Sequence, residues 1–144
     1  MCINVLVADD TDVMRKAIRS LLSRREDISV VGEASNFRET IEKTALLHPD
    51  VIILDLHMPD RNLVTPTKVK SLLNGAKVLA ITLGVDDLTE NLDLSNSVGA
   101  VKLVDKMNLS DQLIPAILEL APSGQQTLIT SALPEEFSGG RFDD

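Results

Sequence analysis

Five short segments rich in Val, Ile and Leu recur along the chain, separated by stretches whose apolar residues follow helical spacing. The apolar segments are INVLVA (3–8), ISVVGE (28–33), VIIL (51–54), KVLAIT (77–82) and VKLV (101–104). Their length and β-branched content predict strands. The middle ones, VIIL and VLAI, are apolar at every position, which predicts burial on both faces, as in a parallel sheet covered by helices above and below. ISVVGE turns polar at its end, which predicts an edge strand. This alternation is the strongest constraint in the sequence, because strands and helices taking turns build α/β folds and little else.

The intervening stretches carry the helical half of the pattern. Val13, Met14, Ala17, Ile18, Leu21 and Leu22 fall at i, i+3, i+4 positions over residues 12–24. Ser35 is a candidate cap for a second helix carrying Phe37, Ile41, Ala45 and Leu46. Thr65-Pro66 reads as an N-cap followed by proline at the first helical position, opening a short helix to about Leu73. Asp86 or Asp87 is expected to open a fourth helix, with Leu88 and Leu92 on its core side. The fifth, about 109–121, carries Leu113, Ile114, Ile117, Leu118 and Leu120; Pro115 should loosen its first turn or move its start towards 112. Right-handed crossovers then favour a flavodoxin-like (βα)5 three-layer sandwich. Its parallel five-stranded sheet has the order 2-1-3-4-5, with strands 1 and 3 side by side.

The chain's 144 residues suffice for one domain, expected over 1–121. Residues 122–144 are rich in Pro, Gly, Ser and acids and read as an acidic, disordered tail or the start of a linker. No apolar run approaches the roughly 18 residues of a membrane helix, and the start lacks the features of a signal peptide. The single cysteine, Cys2, excludes an internal disulfide and fits a reducing compartment, so the expected location is cytoplasmic. With a formal net charge of −8 and no basic patch interleaved with aromatics, direct nucleic-acid binding is not expected.

In an open parallel sheet, ligands sit beyond the carboxyl ends of the strands, where the winding reverses. Asp9 and Asp10 follow strand 1, Asp55 ends strand 3, Thr82 ends strand 4 and Lys106 lies just past strand 5. Adjacent strands are about 4.8 Å apart, so the acids of strands 1 and 3 would be neighbours and would repel. A divalent cation relieves that repulsion, and Mg2+ takes hard oxygen ligands together with phosphate oxygens. The Cys/His grouping of structural zinc and the Gly-rich loop of nucleotide-binding proteins are both missing. The set suits a phosphoryl group carried by a carboxylate. Asp55 is its expected nucleophile, Asp10 and Asp9 the metal ligands, and Thr82 and Lys106 the contacts to the phosphoryl oxygens.

With those residues placed, the chain resembles the receiver domain of two-component response regulators over about residues 2–121. VLVADD (5–10), VIILDLHMP (51–59), LAIT (79–82) and GAVKLVDK (99–106) stand in the family's order. The resemblance implies that Asp55 takes phosphate from a histidine kinase or phosphotransfer protein. Asp9, Asp10, Asp55 and the backbone carbonyl of His57 would arrange Mg2+. It further implies that Thr82 moves towards the phosphate, that Lys106 pairs with it, and that the helix 4–strand 5–helix 5 face repacks for an output domain or partner protein, with a homodimer left open. His57 and Gly84 occupy positions that influence phosphate lifetime in the family. Catalysis would be limited to self-phosphorylation and self-dephosphorylation, in a stand-alone receiver or one cut from a DNA-binding regulator.

Four positions depart from the family's pattern. Leu103 stands where Tyr or Phe is usual and Leu83 where a small residue is usual. Met107 replaces the usual proline after the lysine, and RNLVTPT lacks the loop's usual glycine. Each site residue taken singly also has an ordinary reading: a helix cap for Asp9–Asp12, a turn acid for Asp55, a strand-end threonine, a solvated lysine. Two further functions compete. A haloacid-dehalogenase-type phosphatase would use Asp10-Thr11-Asp12 and leave Asp55 without a role; a pseudo-receiver would keep the fold as a docking module.

Overall fold

The computed structural model describes residues 2–73, 75–83 and 88–120. The elements run β1 (Ile3–Ala8), α1 (Asp12–Leu22), β2 (Ile28–Ala34), α2 (Phe37–Leu47), β3 (Val51–Asp55), α3 (Pro66–Leu72), β4 (Lys77–Thr82), α4 (Leu88–Ser97), β5 (Ala100–Asp105) and α5 (Leu109–Leu120). The sheet is parallel in the order β2-β1-β3-β4-β5, as the alternation predicts. β3 is buried at every position, and β2, at the edge, is buried only at its two ends.

Side chains alternate between the two faces of the sheet, and each face has its own core. On one face Val5, Val7, Ile53 and Ile81 pack with Ile18 and Leu22 of α1 and Leu113, Ala116 and Ile117 of α5. On the other, Leu6, Ile52, Leu54 and Ala80 pack with Phe37 of α2, Val69 of α3 and Val98, which directly follows α4. No helix among the described residues is long and apolar enough to cross a membrane.

The strands match their expected ranges within a residue or so, whereas three helices depart from expectation in informative ways. α2 is capped by Asn36 rather than Ser35: Asn36 Oδ1 accepts the Glu39 N–H at 2.7 Å, and Glu39 Oε1 accepts the Ser35 N–H at 2.8 Å in return. This is a reciprocal capping arrangement shifted by one residue. Phe37 and Ile41 pack inward as expected, but Ala45 and Leu46 face solvent, and Thr40 and Thr44 take the remaining inward positions. Their hydroxyls donate to the carbonyls of Asn36 and Thr40, both at 2.7 Å, so burying them leaves no polar group unsatisfied.

α4 turns Asn91 and Ser95 inward, and Val98 just after it is buried, while Leu92, expected in the core, is 47% exposed. Its proposed caps Asp86 and Asp87 lie outside the described residues, as do Gly84 and the 122–144 segment. α5 starts at Leu109 despite Pro115, not near 112. A 3-10 turn, Lys106–Asn108, leads into it, and Asp105 caps that turn by accepting the Met107 N–H at 2.8 Å. Burial of Leu109, Leu113, Ala116 and Ile117 outweighs the one backbone bond that proline omits.

Candidate functional site

β1 and β3 run side by side in a register that pairs Ala8 with Leu54, so the residues that follow, Asp9 and Asp55, leave the sheet at the same level. Asp9, Asp10 and Asp55 each place a carboxylate oxygen within 4.8 Å of the others. Asp9 is fully buried and Asp55 is 2% exposed, while Asp10 faces solvent. Lys106, from the far side of β4, reaches in between them: its Nζ lies 2.7 Å from Asp9 Oδ2 and 3.3 Å from Asp55 Oδ2. Thr82 ends β4 beside β3, 3% exposed, and its hydroxyl has no hydrogen-bond partner among the described residues.

Local structure holds each acid in place. Asp9 Oδ1 accepts from the Thr11 N–H (2.9 Å) and the Thr11 hydroxyl (3.0 Å), while Thr11 itself caps α1. The Asp9 N–H donates to the Ala34 carbonyl at 2.9 Å, and Arg15 donates to the Asp9 carbonyl at 2.5 Å. Arg15 is fixed in turn by Glu33 at 3.0 Å. Asp55 Oδ1 accepts the His57 N–H at 3.0 Å. The loop beyond it is tied down by Asp60, whose two carboxylate oxygens accept the Phe37 and Arg38 N–H groups at 2.9 and 3.0 Å. Asp60 and Asn36 therefore satisfy three of the orphan N–H groups that open α2.

Burial is the dominant influence on Asp55 and pushes its carboxyl above the usual carboxylate range, against the lowering effects of the His57 N–H and the Lys106 ammonium. Burial also opposes the charge on Lys106, but its hydrogen bond to Asp9 and the charges of Asp55 and Asp9 outweigh it and raise its pKa. Three carboxylates thus share one ammonium, leaving an excess of negative charge at a partly desolvated point. The donors are all hard oxygens, and one buried hydroxyl at the end of β4 lacks a partner among the described residues. Such a set fits a hard divalent cation.

A family model described as the response regulator receiver domain matches residues 5–118. The chain belongs to the receiver domain family of two-component response regulators. The chain is 34% identical to the protein-glutamate methylesterase/protein-glutamine glutaminase 1 of Methanosarcina acetivorans over 134 residues, 80% of this chain and 38% of that protein. It is 32% identical to the transcriptional regulatory protein LnrK of Bacillus subtilis over 123 residues, 85% of this chain and 55% of LnrK. The chain therefore spans between about a third and about half of the length of these relatives. In fold it is similar to the response regulator domain of Thermotoga maritima CheB, with a TM-score of 0.72 and 24% identity over 83% of this chain and 96% of that one.

Of the residues singled out in the sequence, Asp9, Asp10, Asp55 and Lys106 come together, and His57 joins them through its backbone N–H. The Asp10-Thr11-Asp12 alternative gains nothing from the geometry: the Asp12 side chain is 84% exposed and pairs with Arg15 on α1. Leu83 is exposed, whereas Leu103 packs against the core face that holds Val98 and Val69. The Lys106–Met107 peptide is trans, like every bond among the described residues. Sequence reasoning missed Arg15, Asp60 and Asn91. Arg15 and Asp60 had weak signals, a basic residue one turn into α1 and an acid just past Pro59. Asn91 had only its i, i+4 relation to Ser95 on a helix whose leucines drew attention to another face.

Proposed function

We propose that Asp55 is the phosphoryl acceptor of this receiver. One Asp55 carboxylate oxygen attacks the phosphorus of a phosphohistidine on a histidine kinase or phosphotransfer protein. The P–N bond breaks as the O–P bond forms, and the imidazole leaves with a proton. The observation that carries this reading is a carboxylate at the end of the central strand, 2% exposed, with two further acids and one ammonium converging on it. The acids repel, and among the described residues Lys106 is the ammonium that offsets them.

Asp9, Asp10, Asp55 and the backbone carbonyl of His57 are the residues that would hold Mg2+, which when bound neutralises charge on both the carboxylates and the phosphoryl oxygens. Lys106 pairs with a phosphoryl oxygen in place of Asp55. Thr82 supplies a hydroxyl proton that has no present acceptor among the described residues, and movement towards a phosphoryl oxygen satisfies it. Hydrolysis of the aspartyl phosphate resets the switch, so the chain's own chemistry is confined to gaining and losing one phosphate. The face made by α4, β5 and α5, where Leu92 and Val101 are exposed, then meets an output domain, a partner protein or a second copy, in a cytoplasmic setting.

Incubation with Mg2+ and acetyl phosphate should give one acid-stable, hydroxylamine-labile phosphate, seen as a single mass increment. Asp55→Asn should abolish it. Equal labelling of Asp55→Asn would sink the assignment, and no labelling of the native chain would favour the pseudo-receiver.

A further inference from the structure

The loop that follows Asp55 is tied to α4 by a side-chain pair. His57 Nε2 lies 3.1 Å from Asn91 Oδ1, and Arg61 Nη1 lies 3.0 Å from His57 Nδ1. A guanidinium only donates, so Nδ1 must accept; the neutral ring then carries its proton on Nε2, which donates to Asn91. Arg61 thus selects the tautomer that Asn91 needs. The same His57 donates its backbone N–H to Asp55 Oδ1 at 3.0 Å. One residue therefore connects the acceptor carboxylate to α4, with one hydrogen bond at each end.

The packing of α4 makes this connection consequential. Asn91 is 5% exposed although it sits on a helix with leucines to spare, and Leu92 beside it points outward. The inward positions are Asn91 and Ser95, with Leu94 partly buried and Val98 buried just beyond the helix. Turning an amide inward in place of a leucine forgoes apolar burial, which is explained if the amide's task is to receive His57. Apart from this pair, the opposite edge of the loop is fixed to α2 through Asp60, so the loop is suspended between two helices.

We propose that Asn91 is a positioning residue for the acceptor site: by holding the His57 ring it sets the His57 peptide, and it makes the placement of α4 depend on the state of Asp55. The inference rests on the reading of Asp55 and the His57 backbone as part of the metal and phosphoryl site. It assigns the link from site to α4 face to His57 and Asn91, a route that passes neither through Leu83, which is exposed, nor through Leu103. Coupling of this kind is reciprocal: what the site does to α4, α4 does to the site.

The test compares the native chain with Asn91→Leu, which keeps the branched outline without an acceptor, and Asn91→Asp, which keeps an acceptor oxygen in place. Mg2+ affinity is read by calorimetric titration with the metal alone, and the α4 amides by hydrogen exchange before and after acetyl phosphate labelling. Asn91→Leu should weaken Mg2+ binding roughly three- to tenfold, the effect of one lost hydrogen bond. Its α4 amides should exchange at the same rate with and without the phosphate. Asn91→Asp should restore the response of α4. Native Mg2+ affinity in Asn91→Leu, together with α4 amides that still respond to labelling, would overturn the proposal. A native chain that neither binds Mg2+ nor labels would instead overturn the underlying reading of the site.

Discussion

α4 and α5 both lie against β5, yet they are held there by different means. α5 sends Leu109, Leu113, Ala116 and Ile117 into the core it shares with α1, and tolerates Pro115 in its middle. α4 sends Asn91 and Ser95 inward, leaves Leu92 outside, and is followed directly by the buried Val98. Apolar burial is indifferent to the charge state of a distant carboxylate. A hydrogen bond that ends two residues from Asp55 is not. The comparison teaches that this chain separates a helix that maintains the fold from one whose hold depends on the site.

The comparison breaks first if α5 is not the stabilising helix. Leu113→Ala, at a fully buried position, should cost about 2–5 kcal/mol in urea denaturation; a loss under about 1 kcal/mol would remove the contrast. Next in size is Asp55→Asn in metal-free protein. Burial raises the folded pKa of Asp55 above its unfolded value, so its stabilising contribution is present below the unfolded carboxylate pKa, near 3.9, and is lost as pH rises through the folded pKa. Asp55→Asn should therefore raise Tm at pH 7, and the gap from the native chain should close as pH falls below about 4; added Mg2+ should narrow it as well.

Pro115→Ala restores a backbone donor on an exposed part of α5 and should add about 1–2 kcal/mol, leaving Mg2+ affinity unchanged. A change in affinity would mean that α5, too, reports to the site. The smallest effect belongs to Asn91→Leu, whose folding stability should stay within about 1 kcal/mol of native even as the response of α4 disappears. A loss the size of that from Leu113→Ala would make Asn91 an ordinary structural residue and erase the difference between the two helices.

What the sequence makes legible follows from how local each signal is. β3 could be recognised from VIILD alone because a strand buried on both faces must be apolar throughout, and the acids at strand ends follow once the strand order is known. On α2 the apolar spacing finds Phe37 and Ile41 but also favours Ala45 and Leu46, which face solvent. Thr40 and Thr44 satisfy their own hydroxyls four residues back and so behave as core residues, which a hydropathy pattern does not register. The inward turn of Asn91 is less legible still. Its reason is His57, 34 residues away in sequence, and nothing within α4 announces it. At the site, Asp9, Asp10, Asp55 and Lys106 could be read together, whereas Arg15 and Asp60 act on backbone groups that any residue type would carry.

The buried Thr82 hydroxyl has a consequence for how such a chain is selected. Valine has the same shape and would leave no polar atom unsatisfied in the resting protein, so selection for a durable fold alone would favour it. On the proposed role of Thr82, its hydroxyl exchanges some persistence for responsiveness. A library sorted only for thermal resistance should drift to valine at 82 and, in doing so, return a sturdier protein that no longer hears its input.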